Sequence, residues 1–166
     1  THFTAAELDG SHQAATAADL APYPSVQNHY SLLTRGPEND GVFAACERLG
    51  TVFVPYFPLE SGLLTGKYKL GQAHPDDSRF VKWGSERAAR FVDDEKLAVV
   101  ARLQAWAEQQ GHSLLDLAMS WHTSHPLVAS VIAGATKPEQ IAANVGASGW
   151  DLTAADRSQV DDVIAG

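Results

Sequence analysis

Cysteine is nearly absent from this chain. The one residue, Cys46, rules out an internal disulfide and fits a reducing, cytoplasmic setting. Basic residues are scarce. Twelve Lys and Arg stand against twenty Asp and Glu, for a net charge of −8 and a pI near 5.2. Such a surface argues against nucleic acid and against anionic membranes, since both select clustered Lys and Arg. No apolar run reaches the roughly 18 residues of a membrane-spanning helix, so none is expected. No basic-then-apolar leader opens the chain, and no signal peptide is read from it. No Gly-x-Gly-x-x-Gly follows a strand, which argues against a doubly wound dinucleotide domain. No Gly-x-Ser-x-Gly elbow offers a nucleophilic serine. Methionine occurs once, at Met119. The opening Thr1-His2-Phe3 reads like the tail of a strand entered halfway, which implies upstream sequence.

What is present suits a packed core: 45% hydrophobic residues and 19% charged ones. The length of 166 residues fits one domain, or half of a barrel that needs about 250 residues. Thr4-Ala5-Ala6-Glu7 has the capping-box pattern and predicts a helix to about residue 15. Val26 to Leu32 reads as a strand. Glu38 to Leu49 reads as a helix stopped by Gly50, with Val42, Phe43, Cys46 and Leu49 on one face. Thr51 to Val54 reads as a strand buried on both faces. Pro58 to Phe91 is rich in Gly and Pro and reads as a long functional loop. Helices follow at Asp93 to Gln110 (Leu97, Val100, Leu103 and Ala107 inward) and Ser113 to His122 (Leu114, Leu117, Ala118 and Trp121 inward). Val128 to Ile132 reads as a short buried strand. A second capping box, Thr136 to Glu139, opens a helix to about Ala147. A last helix starts after Thr153 and bears Val160, Val163 and Ile164. Strands alternating with helices favour a parallel sheet with right-handed crossovers.

Four segments carry a resemblance. They are Thr1-His2-Phe3-Thr4; Gln27-Asn28-His29-Tyr30-Ser31-Leu32-Leu33; Pro55-Tyr56-Phe57-Pro58-Leu59 with Gly62-Leu63-Leu64-Thr65-Gly66-Lys67-Tyr68; and Ile132 to Ile141 (IAGATKPEQI) followed by Asn144. In this order the chain resembles the aldo-keto reductases, most closely the bacterial branch that includes the potassium-channel β-subunit relatives. The resemblance implies a (β/α)8 TIM barrel of which residues 1–166 supply the second half, strands five to eight with their helices. It also implies a cytoplasmic, NADP-dependent oxidoreductase (with NAD as the alternative cofactor) that reduces a small-molecule aldehyde or ketone.

Residue roles follow from the same resemblance. Gln27, with Thr1 and His2, would hold the nicotinamide carboxamide through amide and hydroxyl groups. Tyr56 would stack on the nicotinamide ring. Phe57 stands where many members carry Ser, so that hydroxyl is lost. Pro58 and Leu59 continue the motif. Gly62, Leu64, Gly66 and Lys67 would approach the pyrophosphate through backbone N–H groups and one cation. Arg79 resembles a loop arginine near the 2′-phosphate. Gly134 ends a strand, and the helix start behind it would draw the adenosine end. There Thr136 and Gln140 face the 2′-phosphoribose, Asn144 faces adenine and Lys137 adds a charge. Gln140 and Ala143 replace the usual Arg and Glu, which weakens a preference for NADP over NAD. His29 replaces a family Glu, and the strand reading leaves open whether it shares a face with Gln27.

The resemblance implies that the family's catalytic Asp, Tyr, Lys and His precede the segment matched by Thr1-His2-Phe3, so no catalytic residue is assigned in this chain. No metal site is expected, and His74-Pro75-Asp76-Asp77 reads as a solvated turn. The implied function is therefore the cofactor-binding half of a carbonyl reductase. The rival is an inactive nucleotide-binding or scaffold module. An open half-barrel leaves two strand edges, which suits self-association or pairing with the missing N-terminal half.

Overall fold

A computed structural model describes residues 1–72, 75–76, 78–88 and 91–166. Of Arg79, Trp83, Ser85 and Arg87 it describes the backbone alone. The chain is α/β and rich in helix. It divides into two compact units, residues 1–58 with 122–134, and residues 59–121 with 135–166.

The first unit is a small parallel sheet with helices. Helix α1 (Ala5–Ala17) starts as predicted: the Thr4 hydroxyl accepts from the Glu7 N–H while the Glu7 carboxylate accepts from the Thr4 N–H. Strand β1 (Ser25–Val26) pairs in parallel with β2 (Val52–Phe53). Single parallel bridges extend this ladder, His29 to Tyr56 and then Phe53 to Val128 and Tyr56 to Ile132. The Thr1–Phe3 segment lies on the other side of β1, where the His2 N–H donates to the Gln27 carbonyl at 2.9 Å. The Asn28 Nδ2 amide donates to the Phe3 carbonyl at 2.8 Å. The order across the sheet is thus residues 1–3, 25–29, 52–56 and 128–132. Tyr30, Phe43, Phe53 and His122 pack edge to face in the core of this unit.

Three expectations for this unit are corrected. The helix read over Glu38 to Leu49 is two helices, α2 (Gly36–Asn39) and α3 (Val42–Leu49). Gly41 separates them at φ 87°, a left-handed conformation that a continuing helix cannot contain. The strand at Thr51 to Val54 is not buried on both faces, since Val52 is 40% exposed while Phe53 is fully buried. The pleat sends neighbouring side chains to opposite faces, and only one is covered. The segment Val128 to Ile132 is held by bridges alone and is not buried, with Ile132 43% exposed.

The second unit is helical. The long segment expected to be loop contains a 3₁₀ stretch at Glu60–Thr65 and short helices α4 (Arg79–Trp83) and α5 (Ser85–Ala88). Helix α6 (Asp94–Gln109) is capped by Asp93 and buries Leu97, Val100, Leu103 and Ala107 as its periodicity predicts, with Trp106 added. Helix α7 (Leu114–Thr123) brings Leu114, Leu117, Ala118 and Trp121 inward. Helix α9 (Ala154–Ala165) packs on α6, and Arg102 of α6 donates to the Val163 and Ile164 carbonyls at its C-terminus. The Ser120 hydroxyl donates to the Ala147 carbonyl at 2.7 Å, joining α7 to the end of α8 (Pro138–Gly146). Among the described residues, no helix is long and apolar enough to cross a membrane.

Candidate functional site

In the first unit, parallel strands bring several predicted site residues together at their ends. Tyr56 follows β2 and bridges to His29, so its ring is carried beside the residues that follow β1. The Tyr56 hydroxyl exchanges a hydrogen bond with His2 Nδ1 at 3.1 Å. The two rings lie 5.3 Å apart between centroids. His2 also bonds to Gln27 through the main chain. One residue therefore touches both Gln27 and Tyr56, although the three lie far apart in sequence. Phe57 completes the group, with its ring 5.6 Å from that of Tyr56.

His29 belongs to the same cluster. Its ring stacks on Tyr56 at 5.5 Å with an interplanar angle of 23°, and meets Phe57 edge-on at 5.6 Å. The sequence carries one signal for this. His29 is two residues from Gln27, and alternate residues of a strand share a face.

Two backbone features mark the cluster. His2 has φ 61° and Phe57 has φ 57°, both in the left-handed region that non-glycine residues avoid. Each costs on the order of 1–2 kcal/mol, and such residues concentrate at functional sites. The Gln27 side-chain amide is half-buried and receives no hydrogen bond from the described residues. The Asn28 Oδ1 atom is buried and has no partner among them either. Thr1 is exposed beside His2. An amide with open donor and acceptor positions, on the segment that pairs beside the one carrying Tyr56, suits a planar ring that bears a carboxamide. Gly134 is exposed at the end of the 128–132 segment, with open space where a Cβ would stand.

In the second unit, Leu59 leads into a left-handed turn formed by Glu60, Ser61 and Gly62 at φ 45°, 57° and 99°. A Cβ at Gly62 would stand 3.1 Å from Lys67 Cε, so glycine lets the lysine fold back over this turn. The Lys67 Nζ sits 5.1 Å above the Tyr68 ring. The Leu64 side chain is fully buried, which leaves only its main chain for any ligand. Gly66 ends the 3₁₀ stretch at φ 79°. Arg79 begins α4 behind the cap Ser78, and its side chain lies outside the described residues.

The capping box read at Thr136 to Glu139 is corrected. The N-cap of α8 is Lys137, without a side-chain cap bond, and Pro138 occupies the first turn. Gln140 takes the reciprocal role instead. Its Oε1 accepts from the Thr136 N–H at 2.7 Å and from the Thr136 hydroxyl at 3.2 Å. Proline disfavours helical backbone at the residue before it, so Lys137 stays extended (φ −142°, ψ 146°) and the helix starts one residue later, at Pro138. Lys137 is exposed and Asn144 half-buried.

A groove of about 350 Å³ elsewhere in this unit is lined by Tyr68, Lys69 and Leu70 against Leu97, Gln104 and Glu108. None of the residues assigned to the cofactor from the sequence lines it. His74 and Asp77, read as part of a solvated turn, lie outside the described residues.

Residues 6–165 match a family model described as Aldo/keto reductase family. The chain is 32% identical over 143 residues to L-glyceraldehyde 3-phosphate reductase of Escherichia coli O157:H7, covering 84% of this chain and 41% of that protein. It is 34% identical over 146 residues to the "Probable voltage-gated potassium channel subunit beta" of Oryza sativa subsp. japonica, covering 87% and 44%. Over 136 residues it is 32% identical to the NADH-specific methylglyoxal reductase of Escherichia coli (strain K12), covering 79% and 39%. The chain spans less than half the length of each of these relatives.

Proposed function

From the premise that this chain belongs to the aldo/keto reductase family, we propose that it is the cofactor-binding, C-terminal half of an NADP-dependent carbonyl reductase. In this reading residues 1–166 are strands five to eight of a (β/α)8 barrel. The parallel strands of the first unit, joined through helices, support that placement. The catalytic Asp, Tyr, Lys and His belong to the other half. Relatives named for reducing glyceraldehyde 3-phosphate and methylglyoxal support a small carbonyl compound as the whole protein's substrate.

The observation that carries the reading is the junction of Gln27, His2 and Tyr56 at the strand ends. The half-buried Gln27 amide, with Thr1, would orient the carboxamide and so fix which ring face is presented. Tyr56 would supply a flat apolar contact to the ring and exclude water from it. The bound nicotinamide supplies the hydride. For the second unit, the lysine folded over the Gly62 turn supports a role for Lys67 at the pyrophosphate. Thr136, Lys137, Gln140 and Asn144 are proposed for the adenosine end. Because Gln140 is tied to Thr136 and carries no charge, NAD remains the alternative cofactor.

The test is a fluorescence titration of the 166-residue chain with NADPH and NADH. Binding is expected, and Tyr56→Ala should weaken it about fivefold, the equivalent of about 1 kcal/mol of lost ring stacking. Gln27→Ala should weaken it in the same direction. Carbonyl reduction by the chain alone is expected to be undetectable. Absence of binding to either dinucleotide at millimolar concentration would overturn the proposal. Steady NADPH-dependent turnover by the isolated chain would overturn the division of roles.

A further inference from the structure

We propose that His2 is a positioning residue, which holds the Tyr56 ring in place for the nicotinamide instead of contacting the carboxamide itself. The inference rests on the cofactor reading above. The family resemblance gives His2 a share of the carboxamide beside Gln27 and Thr1. Its imidazole is engaged elsewhere. Nδ1 lies 3.1 Å and Nε2 3.4 Å from the Tyr56 hydroxyl, and the two rings are tilted by 58° at 5.3 Å between centroids. Across the sheet, residues 25–29 lie between the two segments that carry these side chains. Strands stand about 4.8 Å apart, so the contact crosses the strand that carries Gln27 and links segments about 10 Å apart. The near end is anchored. The His2 N–H donates to the Gln27 carbonyl at 2.9 Å, and Asn28 Nδ2 donates to the next carbonyl, that of Phe3, at 2.8 Å. His2 itself stands at φ 61°. That conformation costs on the order of 1–2 kcal/mol in a residue with a Cβ, and it persists where surrounding bonds over-determine it. At the far end, the phenol ring turns about two side-chain torsions. A bond at its hydroxyl, the atom farthest from the backbone, restricts both. The ring then meets a flat ligand already oriented, which lowers the entropy lost on binding. Either the phenol or the imidazole can donate, so the tether does not depend on which ring nitrogen carries the proton.

The test is a double-mutant cycle on the affinity for NADPH, read by fluorescence titration. Tyr56→Phe keeps the ring and removes the hydroxyl. His2→Gly removes the imidazole and keeps a backbone that accepts φ 61°. Each change alone is expected to weaken binding about threefold, as for the loss of one exposed hydrogen bond, and the two together also about threefold. Adenosine 2′,5′-bisphosphate lacks the nicotinamide and should bind the wild type and all three variants equally. His2→Asn places a polar atom where the closer nitrogen, Nδ1, stands. It should therefore restore most of the affinity, but bring no gain in the Tyr56→Phe background. In the ligand-free chain, nitrogen-15 signals of the His2 ring should shift on Tyr56→Phe. A loss of about ninefold in the double variant, the product of the single losses, would mean that His2 touches the ligand directly. That result, equal losses for the bisphosphate, or unmoved His2 signals would overturn this inference while the cofactor reading stood. If the wild-type chain bound no NADPH at millimolar concentration, the cofactor reading would fail and this inference with it.

Discussion

Cys46 is fully buried in α3, and burial pushes its thiol up to about 11 from an ordinary 9.0. A thiolate there would lose its hydration among apolar neighbours, and the adjacent Glu47 adds repulsion. The native thiol should therefore resist an aromatic disulfide reagent at pH 8 over minutes and react fully in denaturant; rapid reaction of the folded chain would contradict this. The linkage has a definite sign. The folded value lies above the unfolded one, so the contribution to stability is complete below about pH 9. It is lost as pH rises toward 11, and amounts to no more than about 3 kcal/mol. Denaturation curves of Cys46→Ala between pH 8 and 11 should lack that alkaline decline.

Helix ends decide much of the local architecture. Gly41 stands at φ 87° between α2 and α3, and a Cβ there would stand 3.4 Å from the Ala5 side chain. Gly41→Ala should cost about 1–2 kcal/mol through the left-handed backbone, read as a lower denaturation midpoint at unchanged slope. Stabilisation by this change would mean that the break between the helices is not enforced. At the other end of the chain, Thr153 and Asp156 cap α9 reciprocally. The Thr153 hydroxyl, and then its main-chain N–H, hold the Asp156 carboxyl below its ordinary 3.8. Here the folded value is the lower one, so the contribution is present above pH 4 and lost as pH falls through the folded value. Thr153→Ala should cost about 1 kcal/mol at neutral pH, and the difference from wild type should shrink in acid melts below pH 3.

Across the whole molecule, a net charge of −8 and a pI near 5.2 predict a solubility minimum near pH 5, seen as turbidity that clears toward pH 7. Much of the architecture was readable beforehand, because its causes are local. The box at Thr4 to Glu7, the cap at Thr153 and the apolar face of α6 each depend on residues within a turn or two of one another. The parallel pairing of the strands was legible from their alternation with helices. Other features were not. Pro138 moved the N-cap expected at Thr136 to Lys137, and Gly41 interrupted a helix whose apolar spacing continues across it. Short helices formed in a segment whose Gly and Pro content reads as loop, and Ile132 and Val52 stayed exposed although their composition suits burial. Apolar pattern states which side chains can be buried. Which of them are covered depends on what packs above each strand, and that is not a local property. The candidate site divides along the same line. Gln27 and Tyr56 were recognisable as motif residues, whereas the His2 hydrogen bond to Tyr56 and the stacked ring of His29 exist only because parallel strands carry three distant segments to one edge of the sheet. Local chemistry thus wrote the caps and the helical faces, while the meeting of residues 2, 27, 29 and 56 had to wait for the strands to pair.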